Sequence, residues 1–310
     1  MSALANESVL PDETGLMSIS EITASGVASS NCTLVLSLAT SLGIKSGQFE
    51  PLCDPLTLER FLNARNGDVA SASEMYRTTI AWRASKNLNV LMDSLGTVEG
   101  LYDERGCRTS PPSEGWDWKR STSKNSDCEK IHKFGFHGKM SSVASEDSSI
   151  AIWRLGKFDL SGIKSNNLLP LMESSFITHL EDLLQSGRTS SHRHSTLIRA
   201  RLIVDLSGVS MSLATMLPTI KKLLGFGKLY FPECTKSATL INAPWVFSSL
   251  WGLVNPFLTD VMKKKVKILG NDWKLGEVFL EHSGVEVGGL PAFLDGNGKD
   301  EDVCCAESVS

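Results

Sequence analysis

Leu202-Ile203-Val204-Asp205-Leu206 is a short run in which four of five residues are apolar. A run this brief and this apolar reads as a strand buried on both faces, and such strands belong to parallel sheets covered by helices. On its N-terminal side, Leu169, Met172, Phe176, Leu180 and Leu183 recur at helical spacing, and Ile150-Ala151-Ile152-Trp153-Arg154-Leu155 is an earlier strand. On its C-terminal side, Leu213, Met216, Leu217, Ile220 and Leu224 form a second helical face, with a kink expected at Pro218. Ala238 to Ile241 and Val266 to Leu269 read as further strands. Strand and helix alternate, so the fold class is α/β with a mixed, largely parallel sheet.

The region before this core is helical. Asp54-Pro55 pairs an N-cap with proline at the first helical position, and Leu58, Phe61, Leu62 and Arg65 follow at helical spacing. Asp68 caps another helix carrying Val69, Ala72, Tyr76, Ile80 and Arg83 on one face. The expected division is a disordered N-terminus over 1–30, a helical module over 31–95, a linker or insertion over 96–128, the main domain over 129–295 and a tail over 296–310. Gly187 to Ser195 reads as a loop, in which His192 and His194 lack companion ligands for a metal.

Composition narrows the function classes. The formal charge of −4 gives no reason to invoke nucleic acid. Cys32, Cys53, Cys107, Cys128, Cys234, Cys304 and Cys305 are odd in number and contain no C-x-x-C pair, which reads as reduced thiols in the cytoplasm. The polar, acidic start lacks the character of a secretory signal. Cys304-Cys305 invites an acylation reading, but no cysteine stands fourth from the end, so prenylation is not expected. Ser237 to Thr259 has no charged residue, yet Pro244 and Pro256 interrupt it and a spanning helix is not expected.

Enzymatic motifs are missing from the sequence: it has no G-x-S-x-G elbow, no phosphate-cradling glycine loop ending in Lys-Ser or Lys-Thr, and no H-E-x-x-H. Asp205 at a strand end has no partner acid, base or metal motif beside it and reads as structural. Trp245, Val246, Phe247, Leu250, Trp251, Leu253, Val254, Phe257 and Leu258 surround one segment almost completely, so it must be buried or face lipid.

Several stretches together resemble the CRAL-TRIO lipid-binding family, of the phosphatidylinositol/phosphatidylcholine transfer type. They are Glu59-Arg60-Phe61-Leu62-Asn63-Ala64-Arg65 with Gly67-Asp68-Val69 and Ala81-Trp82-Arg83, then Leu202 to Gly208, Tyr230-Phe231-Pro232-Glu233, and Ile241-Asn242-Ala243-Pro244-Trp245-Val246-Phe247. Asn255-Pro256-Phe257-Leu258, Lys265-Val266-Lys267-Ile268-Leu269-Gly270 and Gly288-Gly289-Leu290-Pro291 continue the order. The resemblance runs from about residue 33 to 295 and is weakest between Cys107 and Ser149.

The resemblance implies a hydrophobic pocket between sheet and helices for one phospholipid, phosphatidylinositol being the first expectation. It implies transfer between membranes without enzymatic chemistry and without a cofactor. Glu233, Lys265 and Arg65 match its headgroup residues, and Trp245, Phe247, Leu250, Trp251, Val254 and Phe257 its gate helix and acyl pocket, hinged at Pro244, Gly252 and Pro256. Departures are Asn66 in place of a lysine, Met262 in place of a threonine, and Ala200 and Leu202 in place of the Ser-x-Thr pair that contacts phosphatidylcholine. The expected setting is a cytoplasmic monomer that touches membranes transiently. A sterol, tocopherol, retinoid or haem as ligand is the alternative, as is a signalling adaptor for a lipid kinase or small GTPase.

Overall fold

The computed structural model describes residues 15–48, 52–88, 91, 130–131, 134, 138–142 and 148–297. The expected linker over 96–128, and Cys304 and Cys305 with it, lie outside the described residues.

Residues 15–30 were expected to lack structure and do not. Helix α1 (Ile19–Ala24) begins at Ser18, whose hydroxyl accepts from the Glu21 amide at 3.2 Å. Met17, Ile22 and Val27 are buried, at a spacing that is not helical and so gave no periodic signal. The helices α2 (Cys32–Leu42), α3 (Pro55–Asn63) and α4 (Val69–Ser85) follow. Asp54 and Asp68 cap α3 and α4 as expected, accepting from the Thr57 amide at 2.8 Å and the Ser71 amide at 2.7 Å. The turn between these helices places Asn66 at φ 52 and Gly67 at φ 81. Asparagine and glycine are the residues that accept a left-handed backbone at least cost, which accounts for Asn66.

The sheet has five strands in the order β1-β2-β3-β4-β5. They are β1 (Gly138–Ser142), β2 (Ser149–Arg154), β3 (Ala200–Asp205), β4 (Thr235–Ile241) and β5 (Val266–Ile268). β2 through β5 are parallel and β1 adds antiparallel to the edge, a strand the sequence did not announce. Because each parallel strand adds on the same side of the last, right-handed crossovers place every connecting helix on one face. These are α5 (Leu160–Ser165), α6 (Leu169–His194), α7 (Leu217–Tyr230), α8 (Phe247–Val254) and α9 (Asp260–Lys264).

The other face must be covered by what comes last. Ile150, Ile152, Ile203 and Ile241 are buried there beneath Trp273, Phe279 of α10 (Glu277–Ser283), Val285, Leu290 and Leu294. Asp205 serves structure at the strand end. It accepts from the Ser207 amide at 3.0 Å and the Asn242 amide group at 2.9 Å, while Asn242 accepts from the Trp273 indole at 2.8 Å.

Two expectations need correcting. Residues 187–195 continue α6 to His194 instead of forming a loop, because Arg188, Thr189, Ser190 and Ser191 are buried and their polar groups are met from α3 and from α6 itself. Pro218 makes no kink. It stands in the first turn of α7, where its missing N–H costs nothing, and the residues before it, Met211–Met216, form a separate 3-10 turn.

Candidate functional site

The turn Phe231-Pro232-Glu233 carries the chain from α7 into β4. Glu233 sits there at φ 50, a left-handed conformation that costs a non-glycine residue about 1–3 kcal/mol and needs outside support. Arg60 supplies it. Its Nη1 donates to the Glu233 carbonyl at 2.8 Å, and its Nη2 donates to the Ile198 carbonyl at 2.5 Å and the Ser191 hydroxyl at 3.1 Å. One buried guanidinium therefore ties the turn to the segment that enters β3.

The Glu233 carboxylate lies between two cations. Oε1 is 2.9 Å from Lys265 Nζ, and Oε2 is 2.9 Å from Arg199 Nε. All three side chains are partly exposed, with Arg199 at 27%, Lys265 at 24% and Glu233 at 14%. The structure thus brings Glu233 and Lys265 together and adds Arg199, which sequence reasoning did not single out. Arg65 is not joined to them by any described contact. It donates to the Ala64 carbonyl at 3.1 Å and lines a separate cleft of about 530 Å³ with Ala70, Ser71, Glu74, Met75, Thr78 and Leu229. The arginine of the helical module that reaches Glu233 is Arg60.

Arg60 can do this because α3 and α4 are fixed firmly to the main domain. Arg188 pairs with Asp54 at 2.8 Å, both side chains wholly buried, and His192 Nε2 lies 3.4 Å from the same carboxylate. Burial alone would raise the Asp54 pKa, but Arg188 and His192 overcome it and hold the group far below the usual carboxylate range. Glu181 behaves alike: burial opposes its charge, and Arg83 with Gln185 still hold the pKa low. Trp82 stacks on Tyr230 with ring centroids 4.1 Å apart and meets Phe231 edge-on. The Ala81-Trp82-Arg83 stretch is therefore a docking element, clamped at the root of the Glu233 turn.

Beside this charged group the sheet presents an apolar floor that its helices leave open. Leu202 is the one half-buried position of β3, the central strand of the sheet. It pairs with Ala238 of β4, which pairs with Val266 of β5, and both are also half-buried. Ile220 of α7 and Trp251 of α8 flank the same cluster and are only partly buried. Small Ala238 at the centre keeps the floor low. The row ends at Lys265, whose carbonyl accepts from the Ala238 amide at 2.8 Å. The apolar row and Lys265 are thus joined through the backbone.

The segment 244–258 was expected as one helical unit. It is instead α8, Phe247–Val254, followed by a 3-10 turn over Asn255–Phe257. Phe247 and Leu250 are buried against Val204, Leu206, Leu213 and Leu240, while Trp251, Val254 and Phe257 are half-buried. Trp245 is 89% exposed and Leu253 43% exposed, so the segment shows apolar surface outward as well as inward. Lys221 of α7 lies over the Phe257 ring, 5.1 Å from its centroid.

Burial pushes the Cys234 thiol, next to Glu233, up to about 12, so it stays protonated. Groups of three or more His, Cys, Asp or Glu able to hold a metal do not occur among the described residues, and none of their helices is long and apolar enough to cross a membrane.

Residues 142–289 match the CRAL/TRIO domain family model. That stretch is similar to CRAL-TRIO domains. It takes in β2 through β5, α5 through α10, Arg199, Glu233, Lys265 and the segment 244–258. A CRAL-TRIO domain-containing protein of Caenorhabditis elegans is 25% identical over 244 residues, which are 77% of this chain and 29% of that protein. The Sec14 cytosolic factor of Schizosaccharomyces pombe is 28% identical over 256 residues, covering 82% of this chain and 78% of its own length. A phosphatidylinositol/phosphatidylcholine transfer protein of Arabidopsis thaliana is 25% identical over 253 residues, covering 79% of this chain and 57% of its own length. Arg60, Trp82 and Arg83 lie N-terminal to the matched CRAL-TRIO stretch and are held against it by the contacts described above.

Proposed function

We propose that the protein binds one phospholipid, phosphatidylinositol fitting best, and carries it between membranes without altering it. The observation that supports this most is the half-buried apolar strip Leu202, Ala238 and Val266 joined through the backbone to Lys265, which with Arg199 flanks Glu233. Acyl chains lie along the strip and a polar, anionic headgroup meets the charged end. Carrying a two-chain lipid through water removes on the order of thirty methylenes from solvent at ~0.8 kcal/mol each, which only an enclosed apolar space offsets. The name of the Arabidopsis relative, a phosphatidylinositol/phosphatidylcholine transfer protein, supports phospholipid carriage and names both lipids.

Headgroup chemistry favours an inositol lipid over a choline lipid. Lys265 supplies a point charge for phosphate, and the Glu233 oxygens accept from sugar hydroxyls. Ala200 and Leu202 cannot hydrogen-bond a phosphocholine group, and a quaternary ammonium offers Glu233 no N–H. Residues 244–258 act as the gate, with outward-facing Trp245 entering the bilayer interface and Lys263 and Lys264 approaching anionic headgroups.

The test is native mass spectrometry of the protein purified from a eukaryotic host, paired with transfer of labelled phosphatidylinositol between vesicles. A co-purifying phospholipid together with protein-dependent transfer is expected. An empty protein that accelerates no lipid exchange refutes the proposal.

A further inference from the structure

Arg199 meets Glu233 through Nε, the nitrogen nearest its own chain. A guanidinium meets a carboxylate either through its two terminal nitrogens or side-on through Nε and one of them, as Arg188 meets Asp54. Here the side chain is 27% exposed. The 2.9 Å contact at Nε is an ion pair without hydrogen-bond geometry, and the two terminal nitrogens make no hydrogen bond to a described residue. Lys265, on the far oxygen of the same carboxylate, is likewise committed to Glu233 alone among the described residues. Arg199, Lys265 and Glu233 together carry a net charge of +1, the complement of one phosphodiester.

We infer that Arg199 is a headgroup-binding residue whose terminal nitrogens take the phosphodiester of the lipid, while Glu233 keeps it aligned and accepts headgroup hydroxyls. This rests on the lipid-binding reading above and adds the group that selects for an anion. Two geometric facts fix its place. Ile198, the residue before it, is anchored by Arg60 at 2.5 Å, and Ala200, the residue after it, donates from its amide to the Cys234 carbonyl at 2.8 Å. The backbone on both sides of Arg199 is therefore tied to the same turn that carries Glu233. Planar bidentate recognition is a property of arginine that lysine lacks, so R199K and R199Q separate charge from geometry.

The experiment measures binding of fluorescent phosphatidylinositol and of a neutral fluorescent diacylglycerol to full-length wild type, R199K and R199Q, with thermal melting of each. Loss of charge-assisted hydrogen bonds predicts at least about tenfold weaker phosphatidylinositol binding by R199Q and an intermediate loss in R199K. Diacylglycerol, which offers no anion, binds all three alike, and the melting temperatures coincide. Raising the salt concentration weakens phosphatidylinositol binding by wild type more than by R199Q. Unchanged phosphatidylinositol binding by R199Q, or equal losses for both lipids, overturns the role of Arg199 alone. Failure of the wild type to bind phosphatidylinositol overturns it together with the proposed function. Should R199Q not fold, R199K decides the matter, since equal binding by R199K and wild type rejects the bidentate role.

Discussion

Replacing Arg188 by Met puts the attachment of the helical module to a quantitative test. Arg188 and Asp54 are 0% and 1% exposed at the side chain and lie 2.8 Å apart, so the variant leaves a carboxylate in a dry interface. Removing one partner of a buried pair costs about 3–5 kcal/mol, mostly the cost of the charge left behind. For a domain of this size each kcal/mol lowers Tm by roughly 2–4 °C, which gives a fall of about 6–20 °C. The sign of the pH dependence follows from the depressed pKa of Asp54. A depressed carboxylate stabilises the fold above its unfolded pKa of about 3.9, and that stability is lost as pH falls towards the folded value. Arg188→Met loses the part that Arg188 supplies, with His192 still beside Asp54, so the gap between wild type and variant narrows on acidification. Urea unfolding followed by tryptophan fluorescence at pH 7 and at lower pH measures both quantities, since Trp82 is stacked at this interface. The double change Asp54→Leu with Arg188→Met recovers most of the loss, less about 1 kcal/mol for the missing cap on Thr57. A single-variant cost under about 1 kcal/mol at pH 7, or one that does not shrink on acidification, refutes the reasoning.

Other expectations concern the lipid. Lys265→Ala abolishes phosphatidylinositol transfer between vesicles while changing stability by less than about 1 kcal/mol, because its pair with Glu233 is partly exposed; undiminished transfer removes Lys265 from the site. Phosphatidylcholine transfer is at most about a tenth of phosphatidylinositol transfer, since ~1.4 kcal/mol of unpaired phosphate is a factor of ten; equal rates would show that other groups replace the pair missing at Ala200 and Leu202. Trp245→Ala lowers association with anionic vesicles severalfold in sedimentation while leaving the melting temperature alone, because the ring is 89% exposed. The half-buried Trp251 packs 6.1 Å from Phe247, and its replacement instead weakens lipid retention.

Much of this architecture is legible in the sequence because it rests on local signals. Asp54-Pro55, Asp68 and the apolar run at Leu202 each act through a helix end or a strand, and each forms where expected. What escapes is decided by distant partners. Residues 187–194 are polar enough to read as loop, yet they are helix because Arg188 meets Asp54 across 134 positions. Arg60 lies 173 positions from Glu233, and its neighbour Arg65 has the same charge on the same helical module, so only the fold says which one reaches the turn. Arg199 lacked any periodic or motif signal, its significance coming wholly from the carboxylate at 2.9 Å. Strand β1 is short and polar, Gly-Lys-Met-Ser-Ser, and forms only because β2 offers it an edge.

The sequential winding of the sheet has a consequence for synthesis. Strands β2 to β5 emerge from a ribosome in the order in which they pair, each with its helix, so one side of the sheet is roofed as translation proceeds. The other side waits. Ile150, Ile152, Ile203 and Ile241 have no cover until the last stretch, Trp273 to Leu294, has left the exit tunnel. A nascent chain that has emerged only as far as Trp273 carries a finished sheet with a bare row of isoleucines, the kind of surface that chaperones hold and that aggregates when they do not. Nonsense mutations that remove only the stretch from Trp273 onward are therefore as damaging as early ones, although they spare Arg199, Glu233, Lys265 and the segment 244–258.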